Sequence, residues 1–145
     1  MSKLKIVLDT NAVLSATFPN SKFQIILRCL ANDVYDLFIT TEIMLEYEEK
    51  LIEIFNKGTS VRFLELCHTL PNVQMTEIYY RWQLIHADPD DDKFVDCAVS
   101  ANADYLVTND KHYNILKNIP FPNLKIIRIE EFMDIITNSL KSYPA

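Results

Sequence analysis

The sequence predicts an α/β fold, a three-layer α/β/α sandwich in which the central sheet is mostly parallel. Short apolar runs alternate along the chain with longer segments whose apolar residues have helical spacing. Polar residues directly follow several of the apolar runs, as in buried parallel strands that helices cover on both faces. The 145 residues contain no linker, repeat or low-complexity segment. We therefore expect one domain over residues 1–140, with a frayed tail over residues 141–145.

Five short apolar runs are predicted to be strands. Their residues are mainly aliphatic, β-branched or aromatic, and polar or turn-forming residues bound the runs. In chain order, the predicted strands cover residues 4–8, 36–39, 73–78, 105–107 and 124–129.

The segments between these runs are predicted to be helices because their apolar residues recur every three or four positions. Ser21 is expected to cap the second helix, and Thr40 or Thr41 the third. Residues 56–58, which include the single glycine, are expected to end the third helix, whereas residues 79–87 are ambiguous. In chain order, the predicted helical segments cover residues 11–16, 22–31, 41–55, 60–70, 91–101, 112–116 and 130–140.

Composition excludes several classes of protein. No apolar run reaches the roughly 18 residues that cross a bilayer, and no signal peptide is visible, so we expect a cytoplasmic protein without a membrane span. Cys29, Cys67 and Cys97 are far apart and odd in number, which favours buried free thiols. Gly58 alone cannot supply a glycine-rich phosphate loop. The net charge of −6 argues against bulk electrostatic binding of nucleic acid.

Two acids lie where predicted strands end. Asp9 follows the first strand and Asp110 follows the fourth by three residues. Ligands of open parallel sheets bind beyond the carboxyl ends of the strands, so the two acids point to a site there. Asp9 also has an ordinary explanation, since alone it is typical of a turn or a helix cap. A third candidate acid, Glu46 on the predicted helix 41–55, is alone typical of a solvated helix face.

An acidic run precedes the fourth strand and its helix. Taken alone, the run is also explained as a loop that caps a helix, and it lacks the central glycine and distal glutamate of a calcium-binding EF-hand loop. Asp92 and Asp96, four residues apart, share one helix face, where like charges repel unless a cation relieves them. That cation is either Lys93 with solvent or a metal ion. The run consists of Asp88, Asp90, Asp91 and Asp92.

A divalent metal ion is the chemistry that clustered carboxylates suggest. Mg²⁺ and Mn²⁺ prefer oxygen ligands and retain several waters, so a few acids at one mouth suffice. Such an ion activates water and stabilises the charge that develops on a phosphate. The histidines are not placed as evident catalysts, although His112, two residues after Asp110, could contact a substrate.

The order of these motifs resembles the PIN-domain ribonucleases, especially the group regarded as toxins of bacterial toxin–antitoxin systems. The resemblance runs from Lys5 to about Phe132 and is carried by VLDTNAVLSA, then Glu46, then DPDDDKFVDCAVSANADYLVTND. It implies a parallel sheet between helices, an RNA substrate, a cognate antitoxin, a homodimer and a bound Mg²⁺ or Mn²⁺. One departure is Asn109, where the family commonly has glycine.

The resemblance also implies roles for particular residues. An acidic quartet would bind the metal and carry catalysis, and Asp96 would replace or supplement the third acid of that quartet. Asn11 and Thr108 would be polar helpers that orient the acids or a water. Local cations such as Lys93, Lys111 and Arg128 would contact the RNA. The quartet consists of Asp9, Glu46, Asp92 and Asp110.

Other functions are open on this sequence. A PIN-like scaffold that has lost catalysis would bind RNA or a protein partner without binding a metal. A phosphohydrolase of the haloacid dehalogenase type also starts with an aspartate after its first strand, but it needs a second aspartate at the position of Asn11. A phosphoacceptor receiver domain fits less well, since its lysine and central aspartate have no clear equivalents.

Overall fold

The central sheet has five parallel strands in the order β3-β2-β1-β4-β5. The computed structural model describes residues 3–85, 91–118 and 123–141. The predicted parallel sheet and α/β class are confirmed. The strands are β1 Leu4–Leu8, β2 Tyr35–Ile39, β3 Val73–Met75, β4 Tyr105–Val107 and β5 Ile126–Ile127.

Helices connect these strands. Connections between parallel strands are right-handed. The connections from β1 to β3 and those from β3 to β5 progress across the sheet in opposite directions, so they lie on opposite faces and form the two helical layers. The last helix ends at Lys141, and the rest of the predicted tail lies outside the described residues. The helices are α1 Thr10–Thr17, α2 Gln24–Ala31, α3 Thr41–Ile54, α4 Lys57–Thr69, α5 Asp92–Ser100, the 3-10 helix Lys111–Asn118 and α6 Ile129–Lys141.

The core covers both faces of the sheet. Successive strand residues point to opposite faces, and Ile6, Val7 and Leu8 in β1 are all fully buried. The ring of Tyr35 in β2 lies edge-on to that of Phe132 in α6, with 5.1 Å between the ring centres. Burial on two faces explains why β1 is a continuous apolar run rather than an alternating one.

The strand order places a switch point beside β1. The chain runs from β1 through β2 to β3, and then crosses back to β4, on the other side of β1. The backbone N–H of Asp9 donates to the carbonyl of Val107 at 3.0 Å, so the carboxyl ends of β1 and β4 lie side by side. Such a point is where open sheets bind ligands.

Two predicted helix starts are wrong. The third helix ends before residues 56–58, as predicted, at Ile54. The next helix begins at Lys57 rather than at Ser60, because Asn56 caps it by accepting from the N–H of Thr59 at 2.8 Å. Gly58 therefore lies inside the first turn of α4. Ser21 does not cap α2, which begins at Gln24; its hydroxyl instead accepts from the N–H of Phe23 at 3.1 Å, in the turn before the helix.

The edge strands are shorter than predicted. β3 ends at Met75 because its neighbour β2 ends at Ile39, whose carbonyl accepts a last bond from the N–H of Thr76 at 2.7 Å. β5 pairs only with the two last residues of β4. Of the ambiguous segment, residues 79–85 have no regular secondary structure, and the remainder lies outside the described residues.

The cysteines are free and buried, as predicted. Burial raises the pKa of the Cys67 and Cys97 thiols to about 12, so both are protonated at neutral pH. Among the helices that the structure describes, none combines the length and the apolar character that a membrane span requires.

Candidate metal centre

Asp9 occupies the end of β1 and caps α1. Its backbone is extended, and its Oδ1 accepts from the N–H of Thr10 at 2.7 Å. Its Oδ2 accepts from the hydroxyl of Thr108 at 2.7 Å. The residue is only 4% exposed. A nearly buried carboxylate is thus held in one orientation at the switch point of the sheet.

Thr108 joins the two strand-end acids. Its side chain is 2% exposed, and its N–H donates to the carbonyl of Ile127 at 2.9 Å, which fixes it beside β5. The hydroxyl donates to Asp9 and accepts from the N–H of Asp110 at 3.0 Å. Thr108 therefore orients the carboxylate of Asp9 and the backbone of Asp110, which is what a polar helper residue would do.

Glu46, a residue of α3, lies at the same carboxyl end of the sheet. The next residue, Tyr47, is fully buried and donates its hydroxyl to the carbonyl of Leu8 at 2.5 Å, which ties α3 to the end of β1. Glu46 accepts a hydrogen bond from the hydroxyl of Thr10. Its Oε1 lies 2.6 Å from the Nζ of Lys93 in α5. Glu46 is thus adjacent to Asp9 and already faces one cation.

A second group of possible ligands surrounds Asp110. One ligand atom from each of Asp91, Asp110 and His112 lies within 4.8 Å of the others. The Nδ1 of His112 lies 3.3 Å from Asp110 and 3.5 Å from Asp91. Buried Tyr113 donates its hydroxyl to the carbonyl of Asp91 at 3.2 Å and fixes the backbone of this acid. The geometry of these three residues is suited to a divalent ion.

The two predicted ligands in α5 are hydrogen-bonded to the backbone of the segment that precedes this helix. Asp92 accepts from the N–H of Ile85 at 2.8 Å, and Asp96 accepts from the N–H of Trp82 at 3.0 Å. Both lie outside the group that Asp110 forms with Asp91 and His112 among the described residues. The two carboxylates therefore anchor the stretch before α5 as well as carrying charge.

Asp96 lines a separate cavity beside the ends of β2 and β3. This cavity, called here the Asp96 cavity, has a volume of about 460 Å³. Asp96 is 2% exposed, and burial raises the pKa of its carboxyl. The cavity is lined by Thr40, Thr41, Glu42, Met75, Thr76, Glu77, Ile78, Tyr79, Arg81, Lys93 and Asp96.

Sequence reasoning did not include Asp91 among the candidate ligands. It is 9% exposed and lies directly before α5, in a run of aspartates where no spacing distinguishes one from the next. The remaining predicted residues are less informative. Asn11 is exposed in the first turn of α1, and Asp88 and Asp90 lie outside the described residues.

Ionisation of the clustered acids at this end of the sheet is electrostatically unfavourable. Burial, which is the largest effect, and the nearby charges of Glu46 and Asp110 together raise the pKa of Asp9 to about 6, although the bonds from Thr108 and Thr10 act in the opposite direction. A divalent cation would remove this repulsion. Carboxylates with one imidazole form a donor set that fits Mn²⁺ or Mg²⁺.

The chain matches a family model over most of its length. Residues 5–112 match the PIN domain, a span that contains Asp9, Glu46, the acidic run and Asp110. No curated protein matches the chain.

Solved structures share the fold at low sequence identity. One is VapBC2 from Rickettsia felis bound to a DNA fragment from their promoter (17% identity, TM-score 0.56, covering 86% of this chain and 98% of that one). Another is DNA-bound VapBC from Salmonella typhimurium (16%, 0.54, 87% and 98%). A third is the PIN domain of T. brucei RRP44 (14%, 0.55, 97% and 84%).

Proposed function

Since this chain belongs to the PIN-domain family, we propose that it is a metal-dependent endoribonuclease that hydrolyses RNA phosphodiester bonds with Mg²⁺ or Mn²⁺. The observation that carries the proposal is the bonded chain from Asp9 through Thr108 to Asp110, with Glu46 beside Asp9. Three distant parts of the sequence meet there. Carboxylates gathered at the switch point of a parallel sheet are suited to holding a divalent ion against a phosphate.

The residues divide into ligands and supports. Asp9 and Asp110 would hold the ion, with Glu46 beside them, and Thr108 would keep the first two oriented. When bound, the ion supplies an activated water and positive charge to offset the charge that develops on the phosphate. The chain itself excludes bulk water from Asp9, which is 4% exposed, and so strengthens the electrostatic interaction there.

The third acid is proposed to be Asp91, in the role that the resemblance gives to Asp92. Asp91 lies in the group with Asp110, whereas Asp92 is bonded to the N–H of Ile85. We expect Asp91→Asn to reduce Mn²⁺-dependent RNA cleavage by more than tenfold with an unchanged melting temperature. We expect Asp92→Asn to lower the melting temperature by a few degrees, because a charged acceptor is lost.

The measurement is cleavage of a labelled RNA with Mn²⁺, with Mg²⁺ and with EDTA. Asp134→Asn, in an exposed carboxylate of α6, is the matched control and should cleave as the parent does. Cleavage that persists in EDTA would contradict the proposed function. The reverse ranking, with Asp92→Asn inactive and Asp91→Asn active, would return the third ligand to Asp92.

We further propose that the protein is the toxin of a toxin–antitoxin pair, cytoplasmic and homodimeric, and inhibited by an antitoxin. The VapBC structures with the same fold support this assignment. Expression of the chain alone should arrest bacterial growth, and co-expression of the neighbouring small reading frame should restore it. Arrest that an Asp9→Asn chain also causes would contradict this assignment.

One observation favours a binding module without catalysis. Lys93 lies 2.6 Å from Glu46, and both side chains are mostly buried, so this acid already has a cationic partner. A chain of this kind would bind RNA without binding Mn²⁺. The EDTA comparison and a Mn²⁺ titration distinguish the two functions.

A further inference from the structure

The segment that precedes α5 exposes aromatic rings. Tyr79 is 86% exposed and Tyr80 is 64% exposed, so both rings are open to solvent. The rings of Tyr80 and Trp82 are edge-on, with 4.8 Å between their centres. Arg81 lies between them in sequence. Rings and a guanidinium plane are the groups on which unpaired bases stack.

The segment is held in place by two helices. Asp96 accepts from the N–H of Trp82, and Asp92 accepts from the N–H of Ile85, so α5 fixes its backbone. The guanidinium of Arg81 lies 3.0 Å from Glu42 at the start of α3. A stacking surface is effective when it is fixed before the ligand arrives, because less entropy is then lost on binding.

The segment is continuous with the metal centre. Tyr79 and Arg81 line the Asp96 cavity, and so does Lys93, whose Nζ contacts Glu46 at the mouth. Lys93 therefore contacts both, since it lines the cavity and its Nζ lies against Glu46. A strand whose phosphate lies at the mouth could place a neighbouring base over the cavity.

Charge favours a base-stacking contact over a phosphate groove. The protein has a net charge of −6, and Arg81 and Lys93 are each paired with a glutamate. Affinity for a nucleic acid must then depend strongly on the faces of its bases, which carry no charge. A duplex hides those faces, so the ligand is single-stranded.

We propose that residues 79–82 form a base-stacking subsite that binds unpaired nucleotides next to the phosphate at the metal centre. This inference rests on the proposed ribonuclease function and adds the place on this chain where a base next to the phosphate would lie. The subsite would select flexible loops and ends over helices.

The test is the affinity of a fluorescent single-stranded RNA octamer, measured in EDTA so that no cleavage occurs. The double variant Tyr79→Ala/Tyr80→Ala should bind at least about tenfold more weakly, as expected for the loss of base stacking. Tyr79→Phe/Tyr80→Phe retains the rings and should bind as the parent does. Phe18→Ala removes an exposed ring at the far end of α1 and is the matched control.

The same variants separate this inference from the proposed function. The alanine variant should still bind Mn²⁺ with the affinity of the parent in a calorimetric titration, because residues 79–82 supply none of the proposed metal ligands. If the parent binds RNA but never cleaves it, the proposed nuclease function is wrong, whereas the base-stacking subsite is still supported. Equal affinity of parent and alanine variant, or equal competition by duplex RNA, refutes the subsite and assigns the rings to a protein partner.

Discussion

Asp9→Asn is expected to lower metal-dependent RNA cleavage by about a thousandfold or more. Asparagine has nearly the same shape and can still accept the bond from Thr10, but it lacks the negative charge that a divalent ion requires. Metal ions contribute several kcal/mol to the stabilisation of charge on a phosphate, and each 1.4 kcal/mol is about tenfold in rate. The measurement is single-turnover cleavage of labelled RNA in Mn²⁺.

The control for this variant is Asp134→Asn, which removes one carboxylate from an exposed helix face and should have the parent rate. Circular dichroism should show that the fold of Asp9→Asn is intact. Cleavage within tenfold of the parent by purified Asp9→Asn, with contaminating nuclease removed, would contradict the role of Asp9.

The same substitution is expected to stabilise the metal-free protein at neutral pH. The pKa of Asp9 is raised from 3.8 to about 6 in the folded state, so the folded state binds more protons than the unfolded chain between these values. Its stability therefore falls as pH rises from about 4 to 6, and the loss stays constant above that. The cost above pH 6 is about 3 kcal/mol, and Asp9→Asn removes it.

Urea unfolding of the parent and of Asp9→Asn from pH 3.5 to 8, in EDTA, measures this difference. The two free energies of unfolding should diverge as pH rises, with Asp9→Asn more stable at pH 7. Saturating Mn²⁺ should stabilise the parent and reverse the order, because the ion favours the ionised carboxylate. A parent that remains more stable than Asp9→Asn at every pH in EDTA would contradict the burial of an uncompensated acid.

The sheet could be predicted because its signals are local. A run such as residues 4–8, buried on both faces, has no alternation and is followed by a polar residue, so its type and its end are both visible. Parallel strands place the residues after β1 and β4 at one edge of the sheet, and this brought Asp9 and Asp110 together in the prediction. The start of α4 was predicted at Ser60 because residues 56–58 were interpreted only as the end of α3, whereas Asn56 also caps α4.

The detailed arrangement of the residues in the candidate metal centre was harder to predict from the sequence. Which aspartate of a consecutive run faces Asp110 depends on where α5 begins, and a shift of one residue rotates a helical side chain by about 100°. The pairing of Lys93 with Glu46 joins two helices whose relative position no local pattern encodes. Such contacts are properties of the packed tertiary structure.

The central claim is that acids from distant parts of the chain form one divalent metal site at the switch point of the sheet. Calorimetric titration of Mn²⁺ into the metal-free parent, Asp9→Asn, Asp110→Asn and Asp134→Asn tests it directly. We predict saturable binding to the parent and to Asp134→Asn, and its loss in the other two. Equal binding by all four proteins, or no binding by the parent, would contradict the claim.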